Sequence, residues 1–343
     1  MTIKTITKTM STMAITLALM TGCSATLESN LSPNNKPSSQ TELTTLYDFY
    51  LIDSETKQPI SIQQLAKKLS QSDVIFIGEL HSHQASHLLQ MQLLNALYQQ
   101  DNKISLSMEQ FTRDAQDVVS KYVNNEYGES TLIDKGNAWD NYKGSYRPLV
   151  EFAREHQLDV IAANSPAMHV RCVGREGIEV LQRLDDKEKQ FSATDIDLEN
   201  KDYQQKFYEF LESAGSSHGQ TNEQMKARMR NIFAAQLLRD ATMAESIAKQ
   251  MQLKPGGKVM HINGTFHSDN GLGTVAELKR RMPELTIAII SPEMKTAGGE
   301  LNFEKGNYLY VIKSLPDRFK DKEIEAESTR KLIGQRMKEK CEI

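Results

Sequence analysis

Short runs rich in Val, Ile and Leu alternate along this chain with amphipathic helical patterns, and that alternation leaves few folds open. "DVIFIG" (73–78) precedes "SHLLQMQLLNALYQQ", and "ISLSMEQF" (104–111) precedes "TRDAQDVVSKYVNNE". "YRPLVEFAREHQ" leads into "LDVIAAN" (158–164), "KVMHING" (258–264) precedes "LGTVAELKRRM", and "LTIAIIS" and "NYLYVIK" follow. Strand and helix in repeated succession are the mark of βα crossovers. The pattern predicts an α/β fold with a mostly parallel central sheet flanked by helices and finished by one or more edge strands. From about 175 to 255 no strong strand is visible. "KDYQQKFYEFLESAG" and "TNEQMKARMRNIFAAQLLRDATMAESIAKQM" read there as helices separated by "GSSHG", predicting a helical lid or insertion in which the second pattern holds one helix or two. Met225, Met229, Met243 and Met251 either line an adaptable apolar pocket or pack a core. The tail, "STRKLIGQRMKEKCEI", reads as a short closing helix with a solvated face.

The first residues set the compartment. "MTIKTITKTMSTMAITLALMTGC" places Lys4 and Lys8 before an apolar stretch and small residues before Cys23, which is the layout of an export signal over 1–22. The apolar stretch is too short for a comfortable transmembrane helix. Met20, Thr21 and Gly22 resemble a lipobox, so Cys23 is the expected site of lipid and palmitate attachment; an ordinary secretory signal is the alternative. The polar stretch over 23–42 has no apolar period and reads as a flexible tether, with the folded body expected over 43–343. Ser24 at the position after the cysteine resembles an outer-membrane address, and two acyl attachments suffice for stable anchoring. The formal charge of −4 shifts to about −6 once the two lysines are removed, and neither a basic field nor an RNA-binding motif is present, so nucleic acid is not an expected partner. Export into an oxidising compartment lets Cys172 and Cys341 form a disulfide; two buried inert thiols are the other reading.

The densest polar cluster is "GELHSHQASH" (78–87), directly after the first strong strand. Ligands of open α/β sheets gather beyond the carboxyl ends of the strands. Glu79 ends one strand, Glu109 and Gln110 a second, Asn164 a third, and a fourth runs through His261 and Asn263 toward His267. In a functional reading, Glu79, His81, Glu109 and His267 surround one pocket, where they hold a divalent metal that activates water, or act as general acid and base without one. In a structural reading the carboxylates cap helix amino ends and the histidines satisfy loops or the core. None of these residues forms a compact signature such as HExxH. His83 reads as a solvent-facing turn residue, His156 as a helix C-terminal histidine favoured by the dipole, and His169 and His218 have no strong local case.

"KGNAWDNYKGSYRPLV" (135–150) carries the chain's single tryptophan, Trp139, with Tyr142 and Tyr146. These aromatics either stack on a flat ligand, with a tyrosinate able to ligate ferric haem, or anchor a long loop to the body. "HINGTFHSDNGLG" (261–273) can present His267 above a pocket but lacks the context of a nucleotide fingerprint.

Taken in order, "GELHSHQASHLLQMQLL", "SMEQFTRDAQ", "WDNYKGSYRPLVEFAREHQLDVIAANSP", "QLLRDATMAESI" and "HINGTFHSDNGLGTVAEL" resemble the ChaN-like haem-binding lipoprotein family, within a wider group that includes Tiki- and TraB-like proteins and erythromycin esterases. The likeness spans most of Val74 to Leu278 and includes Gly78, Glu79, His81 and His87, and Arg239, Asp240, Met243 and Ala244. It implies an iron-regulated lipoprotein that binds haem, as a homodimer enclosing more than one haem, and assists haem-iron acquisition with an outer-membrane haem receptor as partner. Tyrosine and histidine are the iron ligands the resemblance implies, with Tyr146, His81, His87 and His267 as candidates. Metal-dependent relatives imply instead a peptidase or esterase using Mn, Co or Zn at Glu79, His81, Glu109 and His267. A structural adaptor with a vestigial pocket is the third class. Where the family commonly has Gly-x-Gly-His, this chain has "GTFH" (264–267), so Phe266 is expected to reshape the pocket mouth.

Overall fold

A computed structural model describes residues 42–213, 223–295 and 299–343. Cys23, its signal segment and nearly all of the tether lie outside the described residues, as do "GSSHG" and His218. In chain order the strands are β1 (Phe49–Asp53), β2 (Pro59–Ile60), β3 (Val74–Glu79), β4 (Ile104–Thr112), β5 (Val160–Asn164), β6 (Lys258–Gly264), β7 (Ile287–Lys295) and β8 (Tyr308–Lys313). The helices before β5 are α1 (Ile62–Lys68), α2 (Gln84–Gln100), α3 (Gln116–Val123), α4 (Glu129–Lys135), α5 (Tyr142–Ser145) and α6 (Arg147–Glu155). After it come α7 (Ala167–Glu176), α8 (Asp186–Lys189), α9 (Lys201–Ser213), α10 (Glu223–Leu253), α11 (Thr274–Arg281) and α12 (Lys322–Lys338).

The eight strands form one sheet in the order β2-β1-β8-β7-β3-β6-β4-β5. All pairings from β8 to β5 are parallel, whereas β1 runs antiparallel to β8 and to β2. The mixed α/β architecture matches the sequence expectation. One detail differs: β7 and β8 are interior strands, and on their side the sheet is finished by β1 and β2, whose short "FYLID" and "PI" runs carry too little pattern to stand out; β5 is the other edge.

Both faces of the sheet are covered, which is why β3 reads as the unbroken apolar run "VIFI". Period-2 alternation then sorts its side chains. Ile75 and Ile77 join Leu65, Leu89, Leu93, Val119 and Leu149 from the helices on one face, while Val74 and Phe76 join Met243, Ile247, Met251, Val275 and Leu278 on the other. Met243 and Met251 are therefore core residues; Met225 is exposed.

Among the described residues, 174–255 contains no strand, as expected. The long second pattern is a single helix of 31 residues, α10. Its C-terminal half lies on β5, β6 and α11 and so belongs to the helical layer of the sheet, while Tyr203 and Phe207 of α9 pack against Phe233 and Leu237 nearer its middle. The tail helix α12 is followed by Cys341, which is disulfide-bonded to Cys172 of α7, 169 residues earlier in the chain. No helix among the described residues is long and apolar enough to cross a membrane.

Candidate functional site

Register alone brings the polar residues together. β3 and β6 run parallel with Glu79 beside Gly264, and β4 lies against the other side of β6 with Met108 beside Ile262, so Glu79, Gly264 and Glu109 emerge at the same carboxyl edge. Three elements then fold over that edge: the 80–83 turn, the Trp139 connection, and the 265–273 loop backed by α10.

Glu79 is 1 % exposed, yet its carboxylate is fully engaged. Oε1 accepts from Tyr146 Oη at 2.5 Å, from His81 Nδ1 at 2.8 Å and from Gln110 Nε2 at 3.0 Å, while Oε2 accepts from Gln90 Nε2 at 2.5 Å. A buried carboxylate is tolerated when this many donors replace its water. His87 stands 3.5 Å from Oε2 with its side chain largely buried, its Nε2 on the His81 carbonyl at 3.1 Å and its ring edge-on to Tyr146.

Across Gly264 lies a second constellation. Gly264 N–H donates to Glu109 Oε2 at 2.6 Å, and His267 lies between two carboxylates, Nδ1 at 2.7 Å from Asp240 Oδ1 and Nε2 at 3.4 Å from Glu109 Oε1. Asp240 is fully buried and also accepts from Thr274 Oγ1 at 2.7 Å and Tyr203 Oη at 2.8 Å. Burial by itself disfavours the imidazolium of His267, but the two carboxylates outweigh it and push its pKa up to about 10. Burial likewise disfavours the charged form of Glu109, and here His267, His81 and the Gly264 N–H hold the carboxyl well below its usual range. The pair is a buried, charged couple at neutral pH.

His81 links the two halves. A Cβ on Gly264 would come within 2.8 Å of His81 Nε2, so the missing side chain makes the space in which the imidazole lies, with Glu109 beneath it. The His81 side chain is 44 % exposed, its ring edge-on to Trp139 at 4.9 Å. Burial of its inner side disfavours its charged form, but the Glu79 hydrogen bond and the charge on Glu109 raise its pKa. Nδ1 is held by Glu79; Nε2 makes no hydrogen bond among the described residues.

Glu79, His81, Glu109 and His267 are thus brought together as the strand ends implied. The candidates for a cofactor divide. Tyr146 is fully buried, its hydroxyl is committed to Glu79, and burial beside that carboxylate raises its pKa, so it presents no phenolate to a ligand in this conformation. His267 is protonated and enclosed, and His87 has both ring nitrogens in contact with neighbours. His81 remains. Among the described residues, no three His, Cys, Asp or Glu side chains are grouped so as to hold a metal ion. The carboxylates and histidines pair with each other instead.

The histidine expected to face solvent does the opposite. His83 is fully buried, caps α2 by accepting from Ala85 N at 3.2 Å and donates through Nε2 to the Lys313 carbonyl at 2.7 Å, which ties the turn to β8. His156 is the C-cap of α6, stacked on Phe152. His261 lies inside the sheet on Ser107, burial lowering its pKa to about 3. His169, without a local case in the sequence, is buried on Ser192 Oγ at 2.8 Å. Trp139 and Tyr142 anchor their loop to the core, and Trp139 also forms one wall beside His81. Phe266 packs against Tyr203, Phe207 and Phe210 of α9, with Lys206 Nζ over its ring, so the departure in "GTFH" fastens α9 to the mouth. Gln236 and Tyr203 were missed as site residues, and Asp240 was named only within the resembling segment "QLLRDATMAESI", because all three lie on helices whose pairing with the strand ends has no local signature.

A family described as haem-binding uptake, Tiki superfamily, ChaN, matches residues 65–278. Cofacial haem binding is described for ChaN of Campylobacter jejuni, whose structure aligns with a TM-score of 0.59 at 16% identity over 78% of this chain and 97% of that one. An erythromycin esterase mutant in its open conformation aligns with a TM-score of 0.42 at 12% identity over 68% and 72% of the two chains. Protein RETICULATA-RELATED 5, chloroplastic, of Arabidopsis thaliana is 20% identical over 265 residues, 73% of this chain and 35% of that protein; the chain spans about a third of the length of this curated relative.

Proposed function

Since this chain belongs to the ChaN family of haem-binding uptake proteins in the Tiki superfamily, we propose that it binds haem at the open mouth above Gly264, with His81 as the protein's iron ligand. One observation carries the reading. Glu79 accepts the Nδ1 proton of His81 and leaves Nε2 without a protein partner on a half-exposed ring. A metal-ligating histidine characteristically donates its other N–H to a carboxylate, which fixes the tautomer and strengthens the ligand. Haem, when bound, supplies a Lewis-acidic iron and a large flat apolar surface; Trp139, edge-on to the His81 ring, gives that surface an aromatic wall.

The wider role follows from the same premise together with the first residues. Cys23 is lipidated, the body is held at the outer membrane, and the protein assists haem-iron acquisition or transfer, with an outer-membrane haem receptor as partner. A second copy closing over the haem is part of this reading.

Parallel haemin and divalent-metal titrations of the unit 41–343 test it, read by absorbance and calorimetry. Saturable haemin binding with a Soret band that changes in His81→Ala supports the assignment. A band unchanged in that variant removes His81 as ligand. Tight Mn, Co or Zn binding with diffuse haemin association would put the metal-dependent peptidase or esterase first, and binding of neither would favour an adaptor. Fractionation of Cys23→Ser checks the anchor: a membrane-bound variant would refute lipidation at that residue.

A further inference from the structure

Arg239 is the residue of this site whose chemistry is not accounted for. It lies on α10 next to Asp240, three residues after Gln236, and both of those side chains reach His267. Its side chain is partly buried and within electrostatic reach of Glu109 and Asp240. Among the described residues it makes no hydrogen bond or ion pair. Other partly buried arginines behave differently: Arg113 bonds to Ser246, Glu245 and the Thr242 carbonyl, and Arg281 to Glu277. The guanidinium nitrogens of Arg239 keep some contact with solvent, so its donors are open to an acceptor that arrives from outside. Glu109 does not serve, being turned to Gly264 and His267.

We propose that Arg239 is an anion-recognition residue of the same mouth, and that its partner is a carboxylate of the bound ligand. This rests on the haem reading, under which the carboxylate is a propionate. A planar guanidinium with five donors suits a carboxylate bidentately. The neighbouring carboxylates offset its charge while leaving those donors unused, so the site is arranged to accept an anion that arrives with its ligand. Lys206, the nearest buried amine of α9, is already bonded to the Asp269 carbonyl at 2.9 Å and does not compete for this role.

The test titrates the full chain and Arg239→Gln with haemin and with haemin dimethyl ester, whose propionates are blocked. The unmodified chain should bind haemin roughly ten- to a hundredfold more tightly than the ester, the loss expected for a charge-assisted hydrogen bond. Arg239→Gln should bind both alike, at the affinity the unmodified chain has for the ester. Arg239→Lys should keep part of the preference, which separates recognition from misfolding. Equal weakening toward both ligands would make Arg239 merely structural, and an undiminished preference in Arg239→Gln would place the propionate elsewhere; either overturns the assignment. Should neither porphyrin bind the unmodified chain, the haem reading fails on its own account. Benzoate then tests the anion site alone: binding that Arg239→Gln loses sustains it, and no difference overturns it.

Discussion

His267 Nδ1 lies 2.7 Å from Asp240 Oδ1, a contact that joins the loop after β6 to the middle of α10 across 27 residues of sequence. With Glu109 on the other side of the ring, it locks three elements around the site. Replacing His267 by Gln leaves two buried carboxylates without their cation and should cost about 3 kcal/mol or more by denaturant unfolding. The pH dependence follows from the shifts. The folded pKa of His267 is raised, so its contribution is complete below the ordinary value of 6.5 and is lost as pH climbs to about 10. The folded pKa of Glu109 is depressed, so its contribution is complete above the ordinary value of 4.5 and is lost as pH falls. The stability gap between the unmodified chain and His267→Gln should therefore be widest between pH 4.5 and 6.5. A gap that keeps widening toward pH 10 would contradict this pairing.

Glu79→Gln keeps the shape of its side chain but removes the charge that His81 leans on. Haemin affinity should drop about tenfold, the usual scale for losing the hydrogen-bond partner of a ligating histidine. Unaltered affinity and an unaltered spectrum would show that the Glu79–His81 bond does not tune the ligand.

Gly264→Ala places a methyl 2.8 Å from His81 Nε2. The backbone there needs no left-handed conformation, with φ of −57°, and the half-exposed His81 can swing away. The expectation is a large change in haemin binding with a stability loss of no more than about 1 kcal/mol. A comparable loss of stability and no spectral change would reverse the roles assigned to these residues.

Cys341→Ser opens a link that spans 169 residues. Loss of a bridge closing so long a loop should lower stability by about 2–4 kcal/mol, and dithiothreitol should bring the unmodified chain to the same level. Identical melting of the two proteins under oxidising conditions would mean that the bridge contributes nothing.

Gln116 protects the open edge of β5. Its amide donates to the Val160 carbonyl at 2.9 Å and accepts from Ala162 N at 2.8 Å, taking the place of a neighbouring strand. Gln116→Ala should cost about 1–2 kcal/mol and increase self-association, measured by light scattering, because an unpaired strand edge is a template for another. A variant that remains monomeric and fully stable would show that the edge needs no such cover.

The strands of the inner sheet were legible because each is buried on both faces and reads as a β-branched or aliphatic run closed by a polar residue: "VIFIGE" ends in Glu79 and "VMHING" leads to Gly264. Their parallel order then implied that Glu79, Glu109 and His267 would share an edge, and they do. β1 and β2 were not legible, since five and two residues carry no period, and their place depends on pairing with β8. His83 was misjudged for a related reason: a histidine two residues from an exposed one looks exposed until the Lys313 carbonyl, 230 residues away, is seen to accept its proton.

Sequence by itself determined the layers, the polar strand ends and the family, because those depend on local periodicity and on motifs read in order. Only the tertiary structure decided which histidine is free and which is bound. His81, His87 and His267 are chemically identical in the sequence, and what distinguishes them is the set of partners supplied by distant elements: Glu79 on one nitrogen of His81, Glu79 and a backbone carbonyl around His87, and two carboxylates about His267. The availability and charge of an imidazole depend on burial and on what faces each ring nitrogen, and both are properties of the packed chain rather than of its order of residues.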